Sequence, residues 1–186
     1  MVLPKKFYRR DAATVAQELL GCILVKRDTT PLTGMIVETE AYYGLSDPAS
    51  RAKHAKMAAP MWNDAGTAFI YMVHGHWLFN IITMPKGSPS GVLIRAVEPL
   101  KGRDVMMERR GTGISNLTSG PGKFTKAFGI DSSHNGMKVY DRKGVLYIRE
   151  GRKNFEIARS GRIGVREDLP VPLRFYIRGN RFVSRP

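Results

Sequence analysis

The sequence predicts an α+β fold, in which a mostly antiparallel β-sheet is accompanied by a few short helices. Short apolar runs of strand length recur along the chain, separated by turn-forming residues. Only a few segments combine helix-favouring residues with the start and stop signals of a helix. The 186 residues contain no internal repeat and no low-complexity linker, so residues 1–186 are expected to form one domain.

The first predicted helix runs over Asp11–Leu20. Asp11 can serve as its N-cap, Ala12 and Ala13 favour the helix, and Gly21 can end it. The segment is short and amphipathic.

Two strands are predicted next, Cys22–Lys26 and Gly34–Ala41. Thr29–Pro31 supplies a turn between them, so the two strands are expected to pair antiparallel. The following segment, Gly44–Asn63, is predicted to be irregular.

Two further strands, Thr67–Val73 and Trp77–Thr83, are predicted to join around Gly75. After a loop comes a short apolar strand, Val92–Val97. That strand contains a single charged residue, Arg95, whose guanidinium needs an anion if it is buried.

Two more helices and several strands complete the pattern. Gly102–Arg110 is predicted to be helical with Gly111 at its end, and Pro121 suits the first turn of a helix that Gly129 ends. The second of these helices covers Pro121–Phe128. The remaining predicted strands are Gly144–Arg149, Phe155–Ala158 and Leu173–Arg178.

The charge of the chain indicates a polyanionic partner. The formal net charge is +14 and the pI about 10.2, and from Leu100 onward 19 Lys and Arg stand against 8 Asp and Glu. Nucleic acid or an anionic membrane surface would suit this balance. No stretch approaches the roughly 20 apolar residues of a membrane span, and no apolar signal core follows the basic N-terminus. We therefore expect an intracellular protein, in the cytoplasm or nucleoid, that is not secreted.

Cysteine usage excludes two classes of protein. Cys22 is the single cysteine of the chain, so neither a disulfide framework nor a Cys-rich zinc site is available. Because it lies in an apolar run, Cys22 is expected to be a small buried hydrophobe.

The segment Ile36–Tyr43 places two carboxylates in a predicted strand of a basic protein. Strand geometry directs Glu38 and Glu40 to the same face, and Tyr42 points to that face as well. A carboxylate buried there costs free energy unless it is solvated, paired or used. A carboxylate beside aromatic rings that can stack on bases suggests chemistry on a nucleobase.

Four long runs, taken together and in order, resemble the alkyladenine (3-methylpurine) DNA glycosylase family. They are Gly34–Tyr42, Gly91–Pro99, Leu117–Lys123 and Pro172–Gly179. The resemblance spans nearly the whole chain. It implies a single domain with a curved antiparallel sheet, acting as a monomer without metal or cofactor.

The resemblance also implies a reaction. A monofunctional glycosylase of this kind flips a damaged purine, of the 3-methyladenine, 7-methylguanine or hypoxanthine type, out of double-stranded DNA and hydrolyses its N-glycosidic bond. Because no lysine nucleophile is needed, no strand cleavage is expected. The protein would start base excision repair.

Three residues match the catalytic positions of the family. Glu40 corresponds to the general base that activates water, and Arg95 to an arginine that helps hold this water. We expect Arg95 to pair with Glu40 and thereby lower its pKa. Ile163 corresponds to a residue whose backbone carbonyl binds the water. Glu38 is interpreted as structural. The non-catalytic alternative for Glu40 is an exposed position on an edge strand, and the alternative for Arg95 is a local ion pair with Glu98.

Further positions match the base pocket and the DNA-inserting side chain. Tyr42 and Tyr71 correspond to aromatic walls of the pocket, and Asn80 to an asparagine that clashes with the exocyclic amine of normal guanine. His74 stands where the best-known members insert a tyrosine into the duplex. The neighbouring His76 or Trp77 could share this DNA-inserting role with His74.

Arg51 is the largest departure from the family pattern. The family usually has a histidine nine residues after the position of Tyr42, where this chain has Arg51. Either Arg51 takes that place or His54 reaches it by a different loop path. An arginine there would oppose a cationic alkylpurine and suit a neutral lesion such as hypoxanthine. A solvated loop charge is the alternative.

Two other functions remain open at this stage. A non-catalytic nucleic-acid-binding module of similar fold would explain the composition, but it has no reason to bury a glutamate beside Arg95 and two tyrosines. Zinc-dependent hydrolysis would rest on His74 and His76 alone, with no third ligand at matching spacing.

Overall fold

A computed structural model of the chain describes residues 1–53 and 59–185. Its helices are α1 (Lys5–Tyr8), α2 (Ala12–Leu19), α3 (Arg103–Arg110) and α4 (Pro121–Phe128). Its strands are β1 (Ile23–Lys26), β2 (Leu32–Tyr42), β3 (Ala68–Val73), β4 (His76–Thr83), β5 (Ser90–Lys101), β6 (Leu146–Arg149), β7 (Ile157–Ser160) and β8 (Arg174–Ile177). Short 3-10 turns lie at Arg51–Lys53, Ala59–Trp62, Ile114–Asn116 and Ser132–His134.

The strands form one curled antiparallel sheet, which confirms the predicted α+β class. The order is β3-β4-β5-β2-β1-β6, and β2 also pairs with β8, which in turn pairs with β7. The first half of β2 pairs with β1 and its second half with β8, while β5 runs along its other side. The long strand β2 is therefore the centre of the sheet.

The helices cover one face of this sheet. Asp11 caps α2 by accepting a hydrogen bond from the Thr14 amide, as the sequence indicated. Gly111 and Gly129 end α3 and α4 in the left-handed conformation that glycine adopts without strain. The large core contains fully buried side chains of Leu19, Ile36 and Phe124, among others.

Several boundaries differ from the predictions. The short helix α1 carries no cap or periodic signal and was not predicted. β5 covers Ser90–Lys101 rather than Val92–Val97, and β7 lies two residues later than predicted. None of the described helices has the length and apolar character needed to cross a membrane.

One irregularity of the sheet positions a candidate residue. Along β2 and β5, Glu38 lies opposite Ala96, but Thr39 lies opposite Ile94. Arg95 is thus the extra residue of a β-bulge, a feature that re-aims a side chain. The bulge turns Arg95 toward the face that carries Glu38 and Glu40.

Candidate active site

The candidate site is a cavity of about 600 Å³ beside the second half of β2. Its wall includes Tyr42, Tyr71 and Arg95 from the sheet and Arg51 and Ile163 from loops. A larger cavity of about 800 Å³, lined mostly by apolar side chains of the N-terminal segment and of residues 150–157, contains none of the candidate residues. Because the candidate residues lie around the smaller cavity, the smaller cavity is the candidate active site.

Glu40 lies fully buried at the back of this cavity. One carboxylate oxygen, Oε2, accepts hydrogen bonds from the Tyr42 hydroxyl at 2.8 Å and from Arg95 Nη1 at 3.1 Å. The other, Oε1, accepts from the Ile163 amide at 2.7 Å. These three partners stand between the carboxylate and the cavity, so the exposed-strand alternative for Glu40 is wrong.

The pKa of Glu40 departs from the prediction. Burial raises it above its ordinary value, and the Arg95 charge and the three hydrogen bonds offset only part of that effect. Arg95 lowers the pKa of Glu40 as predicted, but burial outweighs this effect, so the pKa as a whole is raised and not lowered. The error came from weighing the ion pair without the desolvation of a carboxylate that has no exposed surface.

Arg95 bridges two carboxylates on the same face of β2. Its Nε donates to Glu38 Oε1 and its Nη1 to Glu40 Oε2, each at 3.1 Å. Glu98, the alternative partner, instead accepts a hydrogen bond from Asn180. The geometry thus contradicts the local pair and brings Arg95 to Glu40.

Ile163 reaches the site through its backbone. The residue was singled out for its carbonyl, but in this structure the contact with Glu40 is made by its N–H. The loop that carries it is held by Arg162, whose fully buried guanidinium pairs with Asp47 at 2.6 and 2.8 Å and with Asp168 at 2.8 Å.

Arg162 also covers one of the predicted pocket walls. Its guanidinium carbon lies 4.5 Å from the centre of the Tyr42 ring. Burial and the neighbouring Glu40 raise the pKa of Tyr42 well above its ordinary value, so its hydroxyl stays a donor. The sequence analysis did not predict that Arg162 and its partner Asp47 help to form the site. The signal available for Arg162 was its position directly before Ile163, a predicted site residue.

The second wall is built in the same way. The guanidinium carbon of Arg51 lies 5.4 Å from the ring centre of Tyr71, and both residues line the cavity. A solvated loop position for Arg51 is therefore wrong. The competing residue, His54, lies outside the described residues.

Asn80 lies on the floor between the two walls. It is buried on β4, and its amide nitrogen faces the carbonyl oxygens of Phe69 at 3.3 Å and Leu78 at 3.4 Å. A small recess beside the main cavity is lined by Tyr42, Arg51, Tyr71 and Asn80, among others. The structure thus brings all four predicted pocket residues together.

The three candidates for DNA insertion have different surroundings. His74 and Gly75 form the turn between β3 and β4, with φ of 47° and 78°, and the His74 side chain is exposed. His76 packs against the backbone of Gly122, and Trp77 is half-buried against the core. His76 is exposed like His74, but His74 lies in the turn at the tip of the hairpin and His76 begins β4.

A metal centre finds no support from the geometry of the described chain. In residues 1–53 and 59–185, no three His, Cys, Asp or Glu side chains are grouped as metal ligands. His74 and His76 flank a turn glycine, and neither is accompanied by a carboxylate ligand.

The family model described as "Methylpurine-DNA glycosylase" matches residues 6–181. A protein of Methanoculleus marisnigri named "Putative 3-methyladenine DNA glycosylase" is 42% identical, with 100% of both chains covered. Proteins with the same name from Bacillus subtilis and Aeropyrum pernix are 40% and 39% identical, covering 98% and 99% of this chain and 96% and 93% of their own.

Proposed function

The chain belongs to the methylpurine-DNA glycosylase family, and from this premise we propose that it excises damaged purines from duplex DNA by direct hydrolysis of the N-glycosidic bond. The observation that carries the proposal is Glu40, a buried carboxylate at the back of a cavity whose walls are Tyr42 and Tyr71. A binding module without catalysis has no need for a carboxylate that burial makes costly.

The reaction begins with a damaged purine flipped into the cavity. Its flat ring stacks between Tyr42 and Tyr71, a contact worth roughly 1–3 kcal/mol per base. The sugar then lies toward Glu40. Loss of base pairing makes a damaged nucleotide easier to extrude than a normal one.

Water attacks C1′ of the deoxyribose as the bond to the purine nitrogen breaks. Glu40 takes the proton of this water, the new C1′–O bond forms, and the bonding electrons leave with the purine. A cationic alkylpurine leaves as a neutral base, whereas hypoxanthine leaves as an anion that takes up a proton from solvent water, and Glu40 returns its own proton to solvent. For the water to reach Oε2, the Tyr42 hydroxyl gives up its hydrogen bond, while Arg95 and the Ile163 amide keep the carboxylate in place. A pKa raised toward the working pH makes Glu40 a stronger base.

No lysine nucleophile takes part in this reaction. The product is an abasic site in an intact strand, and strand cleavage is not expected. Glu40 also stabilises positive charge on the sugar ring as the bond to the purine breaks.

Charge on the pocket walls favours neutral lesions. Arg162 lies over Tyr42 and Arg51 over Tyr71, so each ring already interacts with a cation on one face. A positively charged alkylpurine between the rings is repelled by the guanidinium of Arg51, and less strongly by that of Arg162, whose charge Asp47 and Asp168 compensate. Neutral hypoxanthine is not repelled. We propose hypoxanthine-type bases as the better substrates of this pocket. Asn80 on its floor would disfavour the exocyclic amine of normal guanine.

The hairpin tip and the basic surface complete the DNA interaction. His74 is placed to enter the space that the flipped nucleotide leaves in the duplex. Lysines and arginines neutralise the phosphates on either side.

The test uses duplexes that each carry a single hypoxanthine or alkylated purine. Wild-type protein is expected to release the free base, and Glu40→Gln to lose about 10²–10⁴-fold in rate while it still binds the duplex. Glu98→Gln is a matched control, because this carboxylate is bound by Asn180 and does not reach the cavity.

Three results would contradict the proposal. They are no base release by wild-type protein from any of the lesions, an unchanged rate in Glu40→Gln, and strand cleavage that accompanies base release. Loss of activity on adding a chelator would favour the zinc alternative.

A further inference from the structure

Glu38 lies in a second buried cluster directly beside the Glu40–Arg95 pair. It has no exposed surface and accepts four hydrogen bonds. Arg95 Nε at 3.1 Å, Arg174 Nε at 2.8 Å and Ser184 Oγ at 2.8 Å donate to Oε1, and the Ser184 amide donates to Oε2 at 2.7 Å. Four hydrogen bonds fix the position of this carboxylate and connect it to Arg95, Arg174 and Ser184.

We infer that Glu38, held by Arg174 and Ser184, is a positioning residue that fixes the guanidinium of Arg95 against Glu40. The inference rests on the proposed function, in which Glu40 is the base. Glu38 itself touches neither the cavity nor the reacting atoms.

The shape of the arginine head group explains how Glu38 acts. A guanidinium is a rigid planar fork, so fixing Nε in one direction also fixes where Nη1 points. With Glu38 on Nε, Arg95 offers only Nη1 to Glu40. Without Glu38, Arg95 is free to turn both nitrogens onto Glu40 and to cover the oxygen lone pair that the water needs.

Arg174 ties the cluster to the neighbouring strand and to the segment that follows it. It lies directly opposite Glu40 in the β2–β8 pairing. Its guanidinium also donates to the Ser160 hydroxyl and to the carbonyl of Arg185. The residues around 184 thereby contribute to the active site through Glu38, although none of them lines the cavity.

The cluster is balanced in charge. Glu38 and Glu40 carry two negative charges, and Arg95 and Arg174 carry two positive ones. The titratable or charged groups around Glu40 are Glu38 and Tyr42 on β2, Tyr71 on β3, Arg95 on β5, Arg174 on β8 and Arg162 in the loop after β7. Neutralising Glu38 or Arg174 removes this balance and leaves a net charge a few ångströms from Glu40.

The test compares Glu38→Gln and Arg174→Gln by single-turnover base release across a range of pH. Both variants should release base about 10²-fold more slowly, because Arg95 is no longer fixed, with unchanged affinity for lesion-containing duplex. Activity needs ionised Glu40, so the rate falls as the pH is lowered through the pKa of Glu40; this falling part of the pH–rate profile is the acid limb. Glu38→Gln should move this acid limb to lower pH and Arg174→Gln to higher pH, each by about one unit. The double variant should return the limb close to the wild-type position while the rate stays low.

For Glu38→Gln and Arg174→Gln, lower activity with an unmoved acid limb is what a merely structural role would give, and that result overturns the inference. An unchanged rate in Glu38→Gln overturns it as well. Thermal unfolding reports the folded fraction of every variant. Ser184→Ala is a milder variant that keeps all charges, and it should slow release with the limb unmoved. Glu98→Gln should change neither quantity. Base release by wild-type protein separates the two proposals, since its absence refutes the proposed function itself.

Discussion

At the scale of single residues, the two tyrosines of the pocket are each covered by an arginine. Arg162 is tied down by Asp47 and Asp168, which compensate its charge, whereas Arg51 faces the cavity from a short 3-10 turn. In the proposed reaction, Arg51 is therefore the residue whose charge would act most directly on a base in the cavity. The sequence showed the departure at this position, but only the structure shows on which ring the arginine lies.

Replacing Arg51 by histidine should change which lesion is preferred. Arg51→His removes a fixed cation from Tyr71, so the rate ratio of 3-methyladenine to hypoxanthine release should rise about two- to fivefold, as a cation–π contact of about 0.5–1 kcal/mol implies. Arg27→His is the matched control, because Arg27 lies over the ring of Tyr147 and does not line the cavity. Equal ratios before and after Arg51→His would refute the specificity argument.

At the scale of elements, the sequence predicted the sheet and its helices well, because caps, turn glycines and apolar runs are local signals. The hairpin around Gly75 and the helix Pro121–Phe128 are confirmed. What it missed depends on distant contacts. Two partners of Glu38, Arg174 and Ser184, lie 136 and 146 residues away in sequence. The bulge at Arg95 breaks the period-two rule used to assign faces.

The β3–β4 hairpin gives an element-scale prediction. His74→Asn shortens the exposed side chain but keeps a residue that tolerates the positive φ of this turn. Stability should stay within about 0.5 kcal/mol of wild type. Single-turnover excision of hypoxanthine paired with cytosine should slow by about tenfold. The His74 side chain inserted into the duplex recovers part of the few kcal/mol lost when the flipped base unstacks, and the shorter asparagine recovers less.

The same variant provides its own control. A hypoxanthine placed opposite an abasic site has no pairing partner and is extruded at lower cost, so its excision should depend much less on the inserted His74 side chain. An equal loss on both substrates would show that His74 acts in some other way than by insertion.

At the scale of the whole molecule, charge is the dominant property. The net charge of +14 is concentrated in the second half of the chain, which also supplies Arg162, Ile163 and the helix that begins at Pro121 beside the cavity. Arg166 of this half also lines the cavity. Two arginines, 162 and 174, are exceptions, since both are buried and paired with carboxylates.

Binding to undamaged duplex should be strongly salt-dependent. If the surface contacts about six phosphates, affinity should fall roughly 10³-fold between about 50 and 200 mM salt. Lys123→Gln, at the start of α4, should reduce the slope of log K against log salt by about one. Lys143→Gln, next to β6 at the far end of the strand order from the hairpin, should leave the slope unchanged. A salt-independent affinity would contradict an electrostatic interface.

The bulge that places Arg95 also has a consequence for how the chain reaches its native state. Shifting one strand against its neighbour by a single residue moves every side chain to the opposite face of a sheet. If β5 paired with β2 one residue out of register, Arg95 would turn away from both carboxylates. Glu38 would keep Arg174, but Glu40 would be buried without its cation. Such a mispaired sheet would be strongly penalised, because unpaired buried charges are among the costliest defects in a protein. The ion pair between Arg95 and Glu40 therefore favours the native register of β5 on β2 over a register shifted by one residue.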